Sequence, residues 1–280
     1  MPETSNPLLK HFRQPQLYLR LPSDGKWWYP ASLELPVTKE IVVYAMTARD
    51  ELLIKTPDAL LNGQATVDVI QSCCPNIKDA WKTPTVDIDA ILIAIRRATY
   101  GNRMDFTSLC PHCSTKNEHS LDLDILGSNI SCPNFDETLT IGDLEIFLKP
   151  LTYQHFNQNS IRNYDEQRLL SVVQDETLGE KEKLAQFGEL FRGLLDITVN
   201  QVANNVGAIK MSTGETVDSP EFLKEFFSNC DREVWTTLKD HIVKLNDHSE
   251  LKRVPLKCEE EKCLKDYTAP LVFEHSSFFE

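Results

Sequence analysis

Cys110-Pro-His-Cys113 and Cys258-Glu-Glu-Glu-Lys-Cys263 are the two stretches that decide how this chain is read, and residues 114–257 lie between them. Thiolates two to four residues apart at a turn can face one soft metal ion, and two such turns supply the four tetrahedral ligands that zinc prefers. One structural zinc ion held by Cys110, Cys113, Cys258 and Cys263 is therefore expected. Distance in sequence is no obstacle. Structural zinc binds small peptides with an apparent ~10–16 kcal/mol, whereas closing a loop of this length costs about 5 kcal/mol in chain entropy.

Two other readings of the cysteines stay open at this level. Cys110-Pro-His-Cys113 has the C-x-x-C spacing of a thiol-disulfide redox site, which needs its first thiol at a helix amino terminus. The flanks here look like strands, and the second pair has no place in that scheme. Alternatively, all the cysteines are unrelated reduced thiols, since C-x4-C is looser than a strict knuckle. Cys73, Cys74, Cys132 and Cys230 are expected as small buried hydrophobes. A complete set of four thiolates leaves His112 and His119 at the surface, and Glu259, Glu260 and Glu261 solvated.

Outward from the first pair, Met104–Leu109 and Glu118–Leu123 read as strands flanking a knuckle. Upstream, Thr85 opens a helix in which Ile88, Ile91, Leu92 and Ile95 form one apolar stripe. Asp87 and Asp89 sit in its first turn, Arg96-Arg97 in a solvated last turn, and Tyr100-Gly101 ends it. Leu17–Leu21 and Trp27–Leu35 around Ser23-Asp24-Gly25 predict a β-hairpin, and Ile41–Met46 can be another strand. A short helical piece at Asp50–Leu53 and a helix over Thr66–Cys74, ended by Pro75, complete the first half.

Between the pairs, Leu139–Ile141 and Leu144–Leu148 predict a hairpin turning at Gly142-Asp143, and Ala208–Val217 a small hairpin tip. Three helical stripes follow the period of 3.6: Leu184, Phe187, Phe191 and Leu194; Phe222, Phe226 and Phe227; Trp235, Leu238, Ile242 and Leu245. Ser219-Pro220 and Asp231 are placed to cap the last two. The chain returns to extended structure at Val254–Lys257 and Tyr267–Phe273. The fold class is thus α+β: a β/α amino-terminal region over 1–103, a split zinc-ribbon-like unit from 104–124 plus 254–280, and a mainly helical insertion over 125–253.

Composition narrows function by exclusion. Against 29 basic residues stand 42 acidic ones, a formal charge of -13 that repels phosphate backbones and anionic lipid, so neither nucleic acid nor a membrane is an expected partner. Met1–Gln16 has no secretory apolar run, and Ala90–Ile95 is far too short to span a bilayer. Catalysis finds no support: there is no phosphate loop, HExxH or G-x-S-x-G. The pairs Asp87/Asp89 and Asp122/Asp124 lack the spacing of an acid/base dyad, so no catalytic residue and no enzyme is expected.

The run Ala45-Met46-Thr47-Ala48-Arg49-Asp50-Glu51, then Leu61-Asn62-Gly63, Ile95-Arg96, Tyr100-Gly101, Phe106 and Cys110-Pro-His-Cys113, resembles the baseplate proteins of T4-like contractile-tailed bacteriophages. So does the ending Pro270-Leu-Val-Phe-Glu-His-Ser-Ser-Phe-Phe279. The resemblance implies a non-catalytic virion or virion-assembly component of the tail baseplate hub. It implies other baseplate and tail hub proteins as partners, oligomers in the assembled baseplate, host cytoplasm during assembly, and Cys110 and Cys113 as half of a metal knuckle. An assembly chaperone absent from the virion and a zinc-ribbon regulatory adaptor are the alternatives. Two positions depart from a compact knuckle: Ser114 stands where a glycine is common, and Cys258 to Cys263 is long.

Overall fold

Strand β1 (Pro15–Arg20) pairs antiparallel with β2 (Glu40–Tyr44), Leu19 opposite Ile41 and Tyr18 opposite Val42. The predicted partner at Trp27–Leu35 is not the one used. Asp24, Gly25, Trp27 and Ala31 all take positive φ, which removes that segment from strand geometry. The turn before it and Trp28 within it are instead tied to Asp87, far along the chain. The Ser23 N–H and hydroxyl and the Trp28 indole N–H donate to the carboxylate of Asp87 at 2.9, 2.5 and 2.8 Å.

The computed structural model describes residues 8, 11–56, 63–158, 197–249 and 254–269. Within them, Met1–Ala80, Asp87–Ile130 and Leu251–Glu280 contribute to one compact unit, and Trp81–Val86 with Ser131–Glu250 to another. The architecture is α+β.

In the first unit, α1 (Ala48–Ile54) starts with a capping box. The Thr47 backbone N–H and hydroxyl each donate to Asp50 Oδ2 at 2.8 Å, and the Asp50 N–H donates back to Thr47 Oγ1. Asp50 is buried and also receives the Ser72 hydroxyl from α2 (Gln64–Cys73) and the Arg13 guanidinium. This network fastens the amino-terminal arm to both helices. The next helix, α3 (Thr85–Tyr100), keeps the predicted bounds, with Gly101 at φ 89 just past its end. It buries Ala90, Ile93 and Ala94 as well as the predicted Ile91, Leu92 and Ile95, so its middle is apolar all round.

The solvated last turn holds for Arg97 only in part and not for Arg96. Arg96 is 6% exposed, its guanidinium 5.4 Å from the centroid of the Tyr100 ring. Arg97 pairs with Asp124. Two antiparallel hairpins complete the unit: β3 (Arg103–Leu109) with β4 (Lys116–Asp122), and β9 (Val254–Lys257) with β10 (Asp266–Ala269). After β4 the chain enters α4 (Leu123–Ser128), which Asp122 caps by accepting the Asp124 N–H.

The second unit carries a four-stranded antiparallel sheet in sequential order: β5 (Leu139–Ile141), β6 (Leu144–Leu148), β7 (Val206–Met211) and β8 (Thr216–Val217). The two predicted hairpins are thus joined through β6 and β7, a pairing of chain segments some sixty positions apart that local patterning does not contain. Helices α5 (Pro220–Asn229) and α6 (Arg232–Ser249) follow. Leu223, Phe227, Leu238 and Ile242 face inward, while Phe222 is 63% exposed and so falls off the predicted stripe. Ser219 precedes α5 without a side-chain cap, its hydroxyl donating to Glu221 Oε2 instead. The stripe Leu184, Phe187, Phe191 and Leu194 lies outside the described residues. Among the described residues no helix is long and apolar enough to cross a membrane.

Candidate metal centre

Each hairpin of the first unit presents its cysteines on a reversal with the same backbone logic. In the first, the Cys110 N–H donates to the Thr115 carbonyl at 3.0 Å and the Ser114 N–H to the Cys110 carbonyl at 2.8 Å. In the second, the Cys258 N–H donates to the Lys265 carbonyl at 3.0 Å, and the Cys263 and Leu264 N–H groups converge on the Glu260 carbonyl. The longer C-x4-C segment therefore closes like the shorter one, with its extra residues absorbed in the turn. The residue after the second cysteine is left-handed in both: Ser114 at φ 59 and Leu264 at φ 47. That is why glycine suits this position, and Ser114 fills it at a steric cost.

The two reversals bring all four sulfurs within 4.8 Å of one another. Cys110 Sγ lies 3.9 Å from Cys263 Sγ, and Cys113 Sγ 3.5 Å from Cys258 Sγ. Four Zn–S bonds of ~2.3 Å in a tetrahedron separate sulfurs by ~3.8 Å, so the residues present fit the ion. All four are free thiols. Cys110 and Cys258 are buried, Cys263 is half-buried and Cys113 is exposed. Among the described residues this is the group of metal-ligating side chains close enough to share one ion.

The protein environment discriminates among the thiols. Hydrogen bonds from the Thr115 hydroxyl and N–H hold Cys113 down at about 6. Burial pushes Cys258 up to about 12, against a stabilising N–H from Glu260. Cys263 receives the Lys265 N–H, yet burial and the neighbouring Cys113 and Cys110 leave its thiol raised. The Cys113 thiolate is favoured, whereas those of Cys258 and Cys263 are opposed, by burial and by the crowding of neighbouring sulfurs. Three of the four sulfurs accept a backbone N–H from two residues ahead.

Packing around the sulfurs is thin but specific. Cys110, Cys258, Tyr267 and Ala269 form a small core with Leu256 and Cys263 against it. The Tyr267 hydroxyl lies 2.6 Å from Ser108 Oγ and 2.9 Å from His119 Nε2, linking β10 to both strands of the first hairpin. His119 is thus not a free surface residue. It is half-buried between Phe106 and Tyr267, and its Nε2 is taken by the phenol. His112, Glu259 and Glu261 are exposed and Glu260 is half-buried.

Asn117 escaped the sequence reading. It is 2% exposed, and its side chain meets both reversals: Nδ2 donates to the Thr115 carbonyl at 3.0 Å and Oδ1 accepts the Glu259 N–H at 2.8 Å. The available signal is alternation along β4, which turns Asn117, His119 and Leu121 to the inner face.

The remaining candidates have structural partners. Cys73 and Cys74 are fully buried, with burial pushing Cys73 up to about 12, whereas Cys132 and Cys230 are only half-buried. Asp87 anchors the β1–β2 connection, Asp122 caps α4, and Asp124 meets Arg97 and Asn102.

Residues 28–280 match the family model described as T4 bacteriophage base plate protein. Neither a curated protein nor a solved structure matches the chain. The family match runs through both cysteine reversals and the whole segment between them. By that match the chain belongs to the T4 bacteriophage base plate protein family, whose members are components of the phage tail base plate.

Proposed function

We propose that this chain is a structural subunit of the base plate hub, acting through protein contacts and without catalysis, and that its four cysteines hold one structural zinc ion. Family membership supports a structural role in the base plate. The observation that carries the second is the approach of Cys110, Cys113, Cys258 and Cys263 Sγ to within 4.8 Å. Soft thiolates select zinc over hard cations. A shell of four sulfurs has no open position for water, so the bound ion supplies cross-linking and no Lewis-acid chemistry.

In this reading the chain's own groups do the positioning. Backbone N–H groups of Thr115, Glu260 and Lys265 stabilise three thiolates, and the two hairpins hold them face to face. The clasp joins the chain on either side of the segment Ser131–Glu250. Partners are other base plate and tail hub proteins, met in the host cytoplasm during assembly and retained in the virion, with the chain oligomeric in the assembled base plate. A formal charge of -13 disfavours nucleic acid and anionic membranes as partners.

Protein identification in purified tails, combined with labelling of this chain, tests the hub assignment. The expected result is its presence at the hub. Its absence from finished tails contradicts a structural role and favours a chaperone of assembly.

A further inference from the structure

The two cysteine reversals lie far apart in sequence, and among the described residues the Asn117 side chain makes polar contact with the backbone of both. Asn117 stands at the second position after Thr115, the residue whose N–H and hydroxyl hold Cys113. Its Nδ2 donates to the Thr115 carbonyl, which also accepts the Cys110 N–H, so it braces the hydrogen bond that closes the first reversal. Its Oδ1 accepts the N–H of Glu259, the residue between Cys258 and Glu260, whose own N–H points to Cys258. An amide is suited to this place because it donates on one side and accepts on the other. Aspartate lacks the donor and leucine lacks both. Buried at 2% exposure, the group has no water to replace either partner.

We infer that Asn117 is a positioning residue for the metal: it sets the spacing between the two cysteine pairs, so that four sulfurs stand at tetrahedral separation before an ion arrives. This rests on the zinc reading above. Without Asn117 the same four ligands remain, but the two pairs are no longer held in register, and part of the binding free energy goes into ordering them. Groups one shell out from a metal typically change its affinity about 10- to 100-fold when removed. Tyr267, whose hydroxyl joins the hairpins on the side of Ser108 and His119, contacts no cysteine reversal by that hydroxyl and serves as the contrast.

The test uses the full chain, loaded with zinc or with cobalt(II) as a coloured stand-in, and competes the metal against a chelator of known affinity. Asn117→Ala is expected to bind about 10- to 100-fold more weakly while its cobalt spectrum still reports four sulfurs. Asn117→Asp, nearly isosteric, keeps the acceptor for Glu259 and loses the bond to Thr115; it is also expected to weaken binding. Tyr267→Phe is expected to lower thermal stability with metal affinity unchanged. Affinity unchanged in both Asn117 variants overturns the inference and leaves the zinc reading intact. Failure of both to fold even in excess metal makes Asn117 a residue of the fold and overturns it too. No metal binding by the wild-type chain overturns the zinc reading itself, and the inference with it.

Discussion

The amino-terminal body and the cysteine ribbon belong to one compact unit yet are held by different physics. In the body, α3 alone buries Ile88, Ile91, Leu92, Ile93 and Ile95, each contributing roughly 1.5–3 kcal/mol by burial. In the ribbon the buried cluster is Cys110, Cys258, Tyr267 and Ala269, and two of those four are thiols. Two-stranded hairpins with so little apolar surface are marginal on their own. The ribbon therefore depends on cross-links: the sulfur cluster, the Asn117 bridge and the Tyr267 hydroxyl. The lesson is that the body is specified by local amphipathic patterning, and the ribbon by a few long-range polar and sulfur contacts.

The largest effect should come from removing the cross-link. Replacing Cys110 and Cys113 by serine removes a contribution on the order of 10 kcal/mol, which the ribbon's core cannot replace. Hydrogen exchange should show β3, β4, β9 and β10 losing protection while α2 and α3 keep theirs; equal loss in both regions would erase the distinction. The converse change is Ile91→Ala, a cavity in the body. It should cost about 2–5 kcal/mol in urea unfolding with metal affinity unchanged.

Asp87 gives the body a pH signature of its own in the acid range. Burial raises its carboxyl above the ordinary value of 3.8, although Ser23 and Trp28 donate to it. The folded state then binds the proton more tightly than the unfolded one, so this group's contribution to stability rises as pH falls through the raised folded value toward 3.8. The stability difference between wild type and Asp87→Asn, followed by denaturant titration across that window, should change in that sense; a flat difference would count against it. Asp87→Ala leaves the two buried Ser23 donors and the half-buried Trp28 indole without their acceptor and should cost about 1–3 kcal/mol at neutral pH.

The smallest effect sharpens the ribbon side. Ser114 sits at φ 59, where a side chain costs about 1–2 kcal/mol, partly offset by the ~0.5–1 kcal/mol of chain entropy that glycine loses. Ser114→Gly should thus stabilise the metal-loaded protein by about 0.5 kcal/mol, read as a higher melting temperature. A lower one would show that Ser114 has a contact worth more than its strain.

What was legible in the sequence is what short patterns carry, in the body and the ribbon alike. The bounds of α3, the β5–β6 hairpin and the four-cysteine grouping are written in local spacing, and the structure has them where that spacing puts them. The β1 partner was misread because the choice between Trp27–Leu35 and Ile41–Met46 is made by Asp87, 64 positions beyond Ser23. Arg96 was misread because a helix terminus rich in arginine has the same sequence signal whether it meets solvent or a Tyr100 ring. Asn117 was missed because its second partner, the Glu259 N–H, lies 142 positions away. The cysteine pairs span as great a range but each carries a short motif; a single aspartate or asparagine carries none for its distant partner.

The central claim is that a metal ion closes the ribbon, and elemental analysis of the natively purified full chain tests it most directly. One zinc per chain, with stability lost on adding excess chelator, is the predicted result. A protein free of metal, or one whose stability is unmoved by chelator, contradicts it.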